Sequence, residues 1–364
     1  ELKDLVISEG DTDRLQPCKS PVWDTAIATI ALRDAGVPAE HPSLKRTVDW
    51  LLSKEVRQPG DWTMRNVATE PAGWYFEFNN EFYPDVDDTC MVLMALARCL
   101  PDQPEWDTDF LVDDWSPHEA DKDATAVLAA RNADSVLAAV QVDKLRPMLG
   151  AMHRGARWIL AMQSKDGGWG AFDRDNFREL FTQVPFADHN AMIDPSTADL
   201  TARMLEMFSY LNVPADHPVV RRAIDFVVDE QRRTPEGYFG QHDGSRMYGH
   251  GITTLMLSEL AGMGADARQD EAIEQGCEGG IAVILEAQQV RKPQAHRGGW
   301  RYTPDAGDSD LSVSVWQLMA LRSAKADGFD VPDAAIAEAV SYLRRSCTSP
   351  LDEQGQPIRP ESGF

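Results

Sequence analysis

The sequence has 364 residues, of which 43% are hydrophobic and 26% charged, so it holds enough apolar material for a large core. Its formal net charge of −24 argues against a nucleic-acid-binding protein and provides no attraction to an anionic bilayer surface. Five cysteines without paired spacing favour a reducing compartment over a disulfide framework.

Apolar residues spaced three and four apart predict helices from near the start of the chain. Residues 25–32 form a helix rich in small side chains, and residues 41–54 form a longer amphipathic helix. A glycine-aromatic turn, Gly60-Asp61-Trp62, follows this pair. Because glycine adopts backbone angles that other residues avoid, we interpret the turn as a staple between helix pairs.

An aromatic stretch comes next, residues 73–83 (GWYFEFNNEFY). The face of an aromatic ring stabilises a cation without acting as a nucleophile or a base. Rings beside an acid therefore suit a reaction whose intermediates are carbocations. The alternative is that individual rings of this stretch simply fill a core.

Three aspartates, Asp85, Asp87 and Asp88, stand within four positions at the start of a predicted helix over residues 88–96. Like charges this close raise one another's pKa, so one carboxyl group can stay protonated near neutrality and act as an acid. The alternative is a helix start, in which Asp85 or Asp87 is the N-cap and the others complement the positive end of the helix.

Residues 101–144 interrupt the pattern of helix pairs and are rich in acidic side chains. Calcium binding is one interpretation of such a cluster, but the spaced ligand loop with a central glycine is missing. We therefore predict a solvated surface insertion, with an extra helix over residues 124–142.

Helix pairs resume after the insertion. Small-residue helices are predicted over residues 197–205, 251–257 and 312–321, and amphipathic helices over residues 155–163, 217–231, 270–288 and 332–345. Further glycine-aromatic turns occur at residues 167–169, 237–239 and 298–300. This internal repeat predicts an all-α solenoid or an α/α toroid, with the small-residue helices on the inner ring.

Several motifs, in a fixed order, resemble the squalene-hopene cyclases and related triterpene cyclases. They are SPVWDT at 20–25, PGDW at 59–62, the aromatic stretch, DVDDT at 85–89, QSKDGGWGAFD at 163–173, VPFADH at 184–189 and DPSTADLTAR at 194–203. The resemblance implies the closed form of the repeat, an α/α toroid.

The resemblance also implies the roles of individual residues. Asp87 would be the acid that protonates the terminal double bond of a polyene, while Asp85 and Asp88 hold and tune it. The aromatic residues implied to stabilise cations in the cavity wall are Trp23, Phe76 and Phe172. No metal and no organic cofactor is implied.

Asp194 and Asp199 match acidic positions near the support of the family's proton donor. Arg203 stands where some cyclases have a histidine bonded to the acid, and a guanidinium there would keep Asp85 or Asp88 ionised. The alternative is an ordinary i, i+4 ion pair between Asp199 and Arg203, worth about 0.3–0.5 kcal/mol. His189 lies in a matching stretch, and we interpret it as a supporting residue behind the substrate contacts.

The resemblance weakens after Phe239, and residues 240–364 look closer to the repeats of prenyltransferase and squalene-oxidase proteins. We expect residues 1–364 to be a single α/α barrel domain and a fragment of a longer two-barrel protein. Squalene or a related linear isoprenoid is the implied substrate, and hopene-type polycycles are the implied products. The family also implies peripheral attachment to the cytoplasmic side of the cell membrane, and a homodimer is compatible with it.

Two other function classes stay open. Zinc-dependent protein prenyltransferase subunits share the toroid and use an Asp-x-Cys pair with a distant histidine, a pattern that Asp88, Cys90 and His153 can supply. The second class is a non-catalytic α/α repeat protein that binds an isoprenoid or a partner, since a fold does not determine function.

Overall fold

The computed structural model describes residues 6–9, 12–15, 20–65, 69–76, 81–100, 136–178, 193–232, 237–241 and 244–346. Ten α-helices lie in these ranges, so the predicted all-α class is confirmed. One short antiparallel hairpin precedes them, with β1 (Val6–Glu9) paired to β2 (Thr12–Leu15) so that Val6 lies opposite Leu15.

Each of the ten helices coincides with a predicted one. Their bounds are α1 Pro21–Asp34, α2 Pro42–Ser53, α3 Val86–Arg98, α4 Val136–Met162, α5 Ala198–Tyr210, α6 Pro218–Arg232, α7 Arg246–Glu259, α8 Ala267–Gln289, α9 Leu311–Ala326 and α10 Asp333–Ser346. The predicted extra helix is not separate where it is described, because residues 136–142 belong to α4. The other residues of the predicted insertion, 101–135, lie outside the described ranges.

Proline and aspartate residues define several helix starts. Pro21, Pro42 and Pro218 occupy the first helical position, where the missing N–H costs no intrahelical bond. Asp266 and Asp310 are N-caps whose carboxylates accept backbone N–H groups of the first turn of α8 and α9. Local chemistry therefore accounts for where these helices begin.

The chain forms two compact units. The first comprises residues 1–165, 169–196 and 206–214, and the second comprises residues 166–168, 197–205 and 215–364. In the first unit α3 packs against α1 and α4, and in the second α7 packs against α8 and α9. Both α3 and α7 are buried on nearly all sides, whereas α2 and α10 bury one face, as expected for inner and outer helices of a repeat. A single barrel domain over residues 1–364 stays a prediction.

The glycine-aromatic turn at residues 298–300 joins two helices of the second unit. The indole Nε1 of Trp300 donates to the carbonyl oxygen of Ile284 in α8, at 2.8 Å. Gly298 has a φ of +89°, and a Cβ there would collide with the backbone of Glu338 in α10. The side-chain amide of Gln288 donates to Gly298 and to Ala335. The predicted staple role is therefore confirmed at this turn.

His250, in α7, is a fully buried imidazole with two backbone partners. Its Nδ1 accepts from the N–H of Phe239 at 3.2 Å, and its Nε2 lies 3.0 Å from the carbonyl oxygen of Gly280 in α8. A neutral ring protonated on Nε2 satisfies both partners. Burial lowers the pKa of His250 from 6.5 to about 4, although the bond to Gly280 opposes this shift.

Because of His250, we expect the free energy of unfolding to fall by about 2 kcal/mol between pH 7.5 and pH 5. The pKa of His250 is lower in the folded protein, so the unfolded chain takes up the proton first as the pH falls. The stabilisation by neutral His250 is therefore fully present above pH 6.5 and is lost as the pH falls toward 4. Urea denaturation of the parent and of His250→Asn at both pH values measures this effect. An unchanged pH dependence in the variant contradicts the prediction.

Candidate active site

The three clustered aspartates lie at the N-terminus of α3. Asp85 is the N-cap, and its Oδ1 accepts the backbone N–H of Asp88 at 2.7 Å. Its own N–H donates to the carbonyl oxygen of Trp74 at 2.9 Å. Asp85 and Asp88 are buried, whereas Asp87 is partly exposed. Asp87 is thus the most exposed residue of the three.

Burial raises the pKa of Asp85 well above its usual value, and the charge of Asp88 raises it further. The N–H of Asp88 opposes this shift, while a side-chain hydrogen bond with Asp88 and the charge of Asp87 add to it. A hydrogen bond between two carboxyl groups requires a proton. The cluster therefore retains a proton at a pH where an isolated aspartate has lost it.

A loop at residues 170–173 docks against the first turn of α3. The carbonyl oxygen of Ala171 accepts the N–H of Val86 at 2.8 Å. Asp194 holds this loop, because its carboxylate accepts the backbone N–H groups of Ala171, Phe172 and Asp173 at 3.0, 2.6 and 2.6 Å. Asp194 thus positions Phe172 beside the start of α3.

Removing this carboxylate by Asp194→Ala is expected to lower the free energy of unfolding of the first unit by about 2–4 kcal/mol, since three N–H groups lose a charged acceptor. Amide hydrogen exchange at residues 171–173 should accelerate with it. Asp166→Ala is the matched control, because Asp166 accepts the N–H of Gly168, whereas the N–H groups of residues 171–173 donate to Asp194. Equal effects of the two substitutions contradict the assigned role of Asp194.

The aromatic residues around the cluster differ in exposure. The ring of Trp74 is fully buried, whereas Phe76 is partly exposed and Phe172 is 47% exposed. Tyr83 is also exposed, and its hydrogen bond to Asp61 raises the pKa of its phenol, with a smaller contribution from the charge of Asp173. Tyr83 is therefore a further ring near the loop at residues 170–173.

The other predicted site residues lie in α1, in the second unit or outside the described residues. Trp23 is partly exposed in the first turn of α1, which packs against α3. Asp199 and Arg203 belong to the second unit, where Asp199 accepts from the hydroxyl of Thr197 at 2.6 Å and the guanidinium of Arg203 lies 5.5 Å from the ring centroid of Trp316. His189 lies outside the described residues.

The second unit contains the same helix-start motif as α3. Trp300 pairs with Asp310 as Trp74 pairs with Asp85, and the N–H of Trp300 donates to the hydroxyl of Ser314 as that of Trp74 donates to Thr89. Hydroxyl groups four residues after each capping aspartate are the sequence signal that could have revealed this motif.

The two capping aspartates differ in their protonation chemistry. Burial acts to raise the pKa of Asp310, but hydrogen bonds from the Ser312 hydroxyl and from the N–H of Val313 bring it below its usual value. Ser312 and Val313 occupy the positions that Asp87 and Asp88 occupy in α3. The two helices therefore share a capping aspartate, and α3 has two further carboxyl groups, those of Asp87 and Asp88.

The zinc hypothesis finds no support among the described residues. They contain no group of three or more histidine, cysteine or acidic side chains that could hold a metal ion. Burial lowers the pKa of His153 to about 4, and the guanidinium groups of Arg157 and Arg154 lower it as well. Two cations beside this imidazole also oppose the approach of a divalent metal.

Comparison with known proteins places these features in a family. The model of the squalene-hopene cyclase C-terminal domain matches residues 19–109 and 102–350, which extends well beyond Phe239, where the recognised motifs become sparse. That family is built from α/α barrels, in agreement with the predicted α/α toroid.

Three relatives illustrate the similarity. A squalene-hopene cyclase of Alicyclobacillus acidocaldarius is 35% identical over 66% of this chain and 32% of its own length. A squalene-hopene cyclase of Bradyrhizobium diazoefficiens is 31% identical over 93% of this chain and 44% of its own length. A dammaradiene synthase of Dryopteris crassirhizoma is 32% identical over 94% of this chain and 46% of its own length. The chain thus spans less than half the length of these relatives.

Proposed function

This chain belongs to the squalene-hopene cyclase family, and from that premise we propose that it carries the acid site of a class II triterpene cyclase. The reaction is an isomerisation. A proton is added to squalene or a related polyprenyl chain, and rings close through carbocations to give a hopene-type polycycle. The activity is proposed for the whole protein of which these residues form the described part.

The aspartate cluster at the start of α3 carries this proposal. An alkene is a very weak base, so the acid must be neutral before the reaction and must stand in a site with little water. The raised pKa of Asp85 supports a protonated carboxyl group in the cluster, and the partial exposure of Asp87 supports Asp87 as the residue that reaches a substrate.

In the proposed first step, the proton of the Asp87 carboxyl group moves to the less substituted carbon of the terminal double bond. The π electrons form the new C–H bond, and a tertiary carbocation remains on the neighbouring carbon. Asp87 becomes a carboxylate in the first turn of α3, where the positive end of the helix stabilises it. We assign to Asp85 and Asp88 the roles of holding Asp87 in place and of favouring the protonated form of its carboxyl group.

The cations that follow need stabilisation without a nucleophile. We assign this role to the ring faces of Trp23, Phe76 and Phe172, because an aromatic face attracts a cation and does not bond to it. Asp194 serves the same step indirectly, by holding the backbone of Phe172. We further propose that Asp199 and Arg203 contribute to substrate binding in the second unit, and that His189 supports the site.

The proposed substrate determines where we expect the protein to act. Squalene is insoluble in water, so we propose peripheral attachment to the cytoplasmic side of the cell membrane, and a homodimer is compatible with this arrangement. Among the described helices, none combines the length and the apolar character needed to cross a bilayer. No residue of the proposed mechanism requires a metal or an organic cofactor.

The direct test is to incubate the full-length protein with detergent-dispersed squalene and to analyse the extract by gas chromatography with mass detection. We expect a cyclised hydrocarbon of unchanged mass. Squalene epoxide and a shorter prenyl chain, supplied in parallel, identify the preferred substrate. A full-length protein that converts none of the three rejects the cyclase proposal.

A further inference from the structure

A cavity of about 410 Å³ lies in the first unit, between α2, the C-terminal end of α3 and α4. This volume is within the range of about 300–1,000 Å³ that small-molecule sites occupy. The aspartate cluster stands at the opposite end of α3. Because α3 has 13 residues, the two ends are about 20 Å apart at a rise of 1.5 Å per residue. The cavity is therefore separate from the acid site.

Most of the described residues that line the cavity are apolar or weakly polar. Cys99 and Met148, which are buried at 7% and 4% exposure, line the cavity together with Val48, Leu52 and Leu145. Burial raises the pKa of the Cys99 thiol to about 11, against the opposing charge of Arg33, so the thiol stays neutral. A neutral thiol behaves as a small apolar group. A cavity with this lining attracts apolar ligands more strongly than water.

The mouth of the cavity is polar. Glu40, Lys45 and Asp49 line it and are exposed. The carboxylates of Glu40 and Asp49 repel an anionic head group, and the ammonium group of Lys45 repels a cationic one. A purely apolar ligand that covered these groups would remove their hydration without replacing it. The mouth therefore favours an uncharged group that both donates and accepts hydrogen bonds.

We propose that this cavity binds a single hydrocarbon chain that ends in a hydroxyl group, that is, a long-chain alkyl or isoprenoid alcohol. The chain lies on Cys99 and Met148. The hydroxyl group lies at the mouth, where its O–H donates to the carboxylate of Glu40 or Asp49 and its oxygen accepts a hydrogen bond from Lys45. The site does not depend on the proposed cyclase reaction, because none of its residues belongs to the aspartate cluster.

Calorimetric titration of the whole chain with 1-octanol, 1-decanol and 1-dodecanol tests the proposal. Each additional methylene should tighten binding about fourfold, since burying it contributes about 0.8 kcal/mol. Dodecanoate should bind at least tenfold more weakly than 1-dodecanol, because its carboxylate meets Glu40 and Asp49. Affinity that does not rise with chain length, or equal binding of the acid and the alcohol, overturns the proposal.

A matched pair of variants on α2 locates the site. Leu52→Trp fills the cavity and should weaken dodecanol binding at least tenfold, whereas Arg46→Trp places the same ring on an exposed position outside the cavity and should leave binding unchanged. Equal effects of the two substitutions place the alcohol elsewhere. Asp87→Asn should bind dodecanol like the parent, so this result is distinct from any result on cyclisation.

Thiol protection tests the same site without a substitution. Saturating 1-dodecanol should slow alkylation of Cys99 by N-ethylmaleimide about fivefold, as measured by peptide mass analysis. Cys277, a buried thiol of the second unit, is the internal reference and should react at an unchanged rate. Equal protection of both cysteines, or none at Cys99, contradicts binding in this cavity.

Discussion

Asp87→Asn is expected to lower the rate of squalene cyclisation by about 10²–10⁴-fold, the usual loss when a general acid is removed. An amide has nearly the shape of the carboxyl group but cannot deliver a proton to an alkene. The fold should persist, because Asp85 rather than Asp87 caps α3. The measurement is single-turnover conversion of squalene by the full-length protein, followed by gas chromatography. A variant that retains more than a tenth of the rate would remove Asp87 from the mechanism.

The repeated helix start supplies a control for the neighbouring carboxyl group. Asp85→Asn and Asp310→Asn change equivalent N-caps, and asparagine is itself a good cap, so both should cost little stability. Only Asp85→Asn changes the proton content of the cluster. We therefore expect it to shift the pH profile of cyclisation, while Asp310→Asn leaves the profile in place. Matching shifts would attribute the effect to capping and not to proton chemistry.

Trp74→Ala is expected to destabilise the first unit by about 3–5 kcal/mol, as for other large aromatic residues removed from a core. Its ring is fully buried, and its Nε1 donates to the carbonyl oxygen of Leu51 at 2.7 Å. Its backbone bonds to Asp85 and Thr89, so movement of this segment displaces the start of α3. Both stability and cyclisation should therefore fall.

Trp300→Ala is the matched variant in the second unit. Trp300 has the same buried ring, a 2.8 Å bond from Nε1 to Ile284 and the same pairing with a capping aspartate. Urea denaturation should show a loss of similar size, about 3–5 kcal/mol. At a temperature where both variants remain folded, Trp74→Ala should lose more activity per unit of lost stability. Proportional losses in the two variants would show that Trp74 contributes to stability alone.

The helices were predictable because their apolar residues recur every three or four positions, and this periodicity is local. The same holds for the helix starts at Pro21, Pro42 and Pro218, where one residue determines the backbone. The N-cap interpretation of Asp85 is confirmed as well. That result does not compete with an acid role for Asp87, since the cap uses Oδ1 of Asp85.

The sequence by itself determined the all-α class, the succession of helix pairs and the clustering of three carboxyl groups at one helix start. It also contained the ordered motifs that resemble the cyclases. Only the tertiary structure decided that Asp194 holds the backbone of Phe172, that Ala171 bonds to the first turn of α3, and that Trp74 and Trp300 occupy equivalent positions.

The physical reason is the range of the interactions. A helix is specified by neighbours within four residues, but the pKa of Asp85 depends on burial, and burial depends on segments distant in the chain. The contact between Asp194 and the loop at residues 170–173 spans more than twenty positions and leaves no periodic signal. Local chemistry thus specified which groups are present, and non-local packing specified which of them meet and which retain a proton.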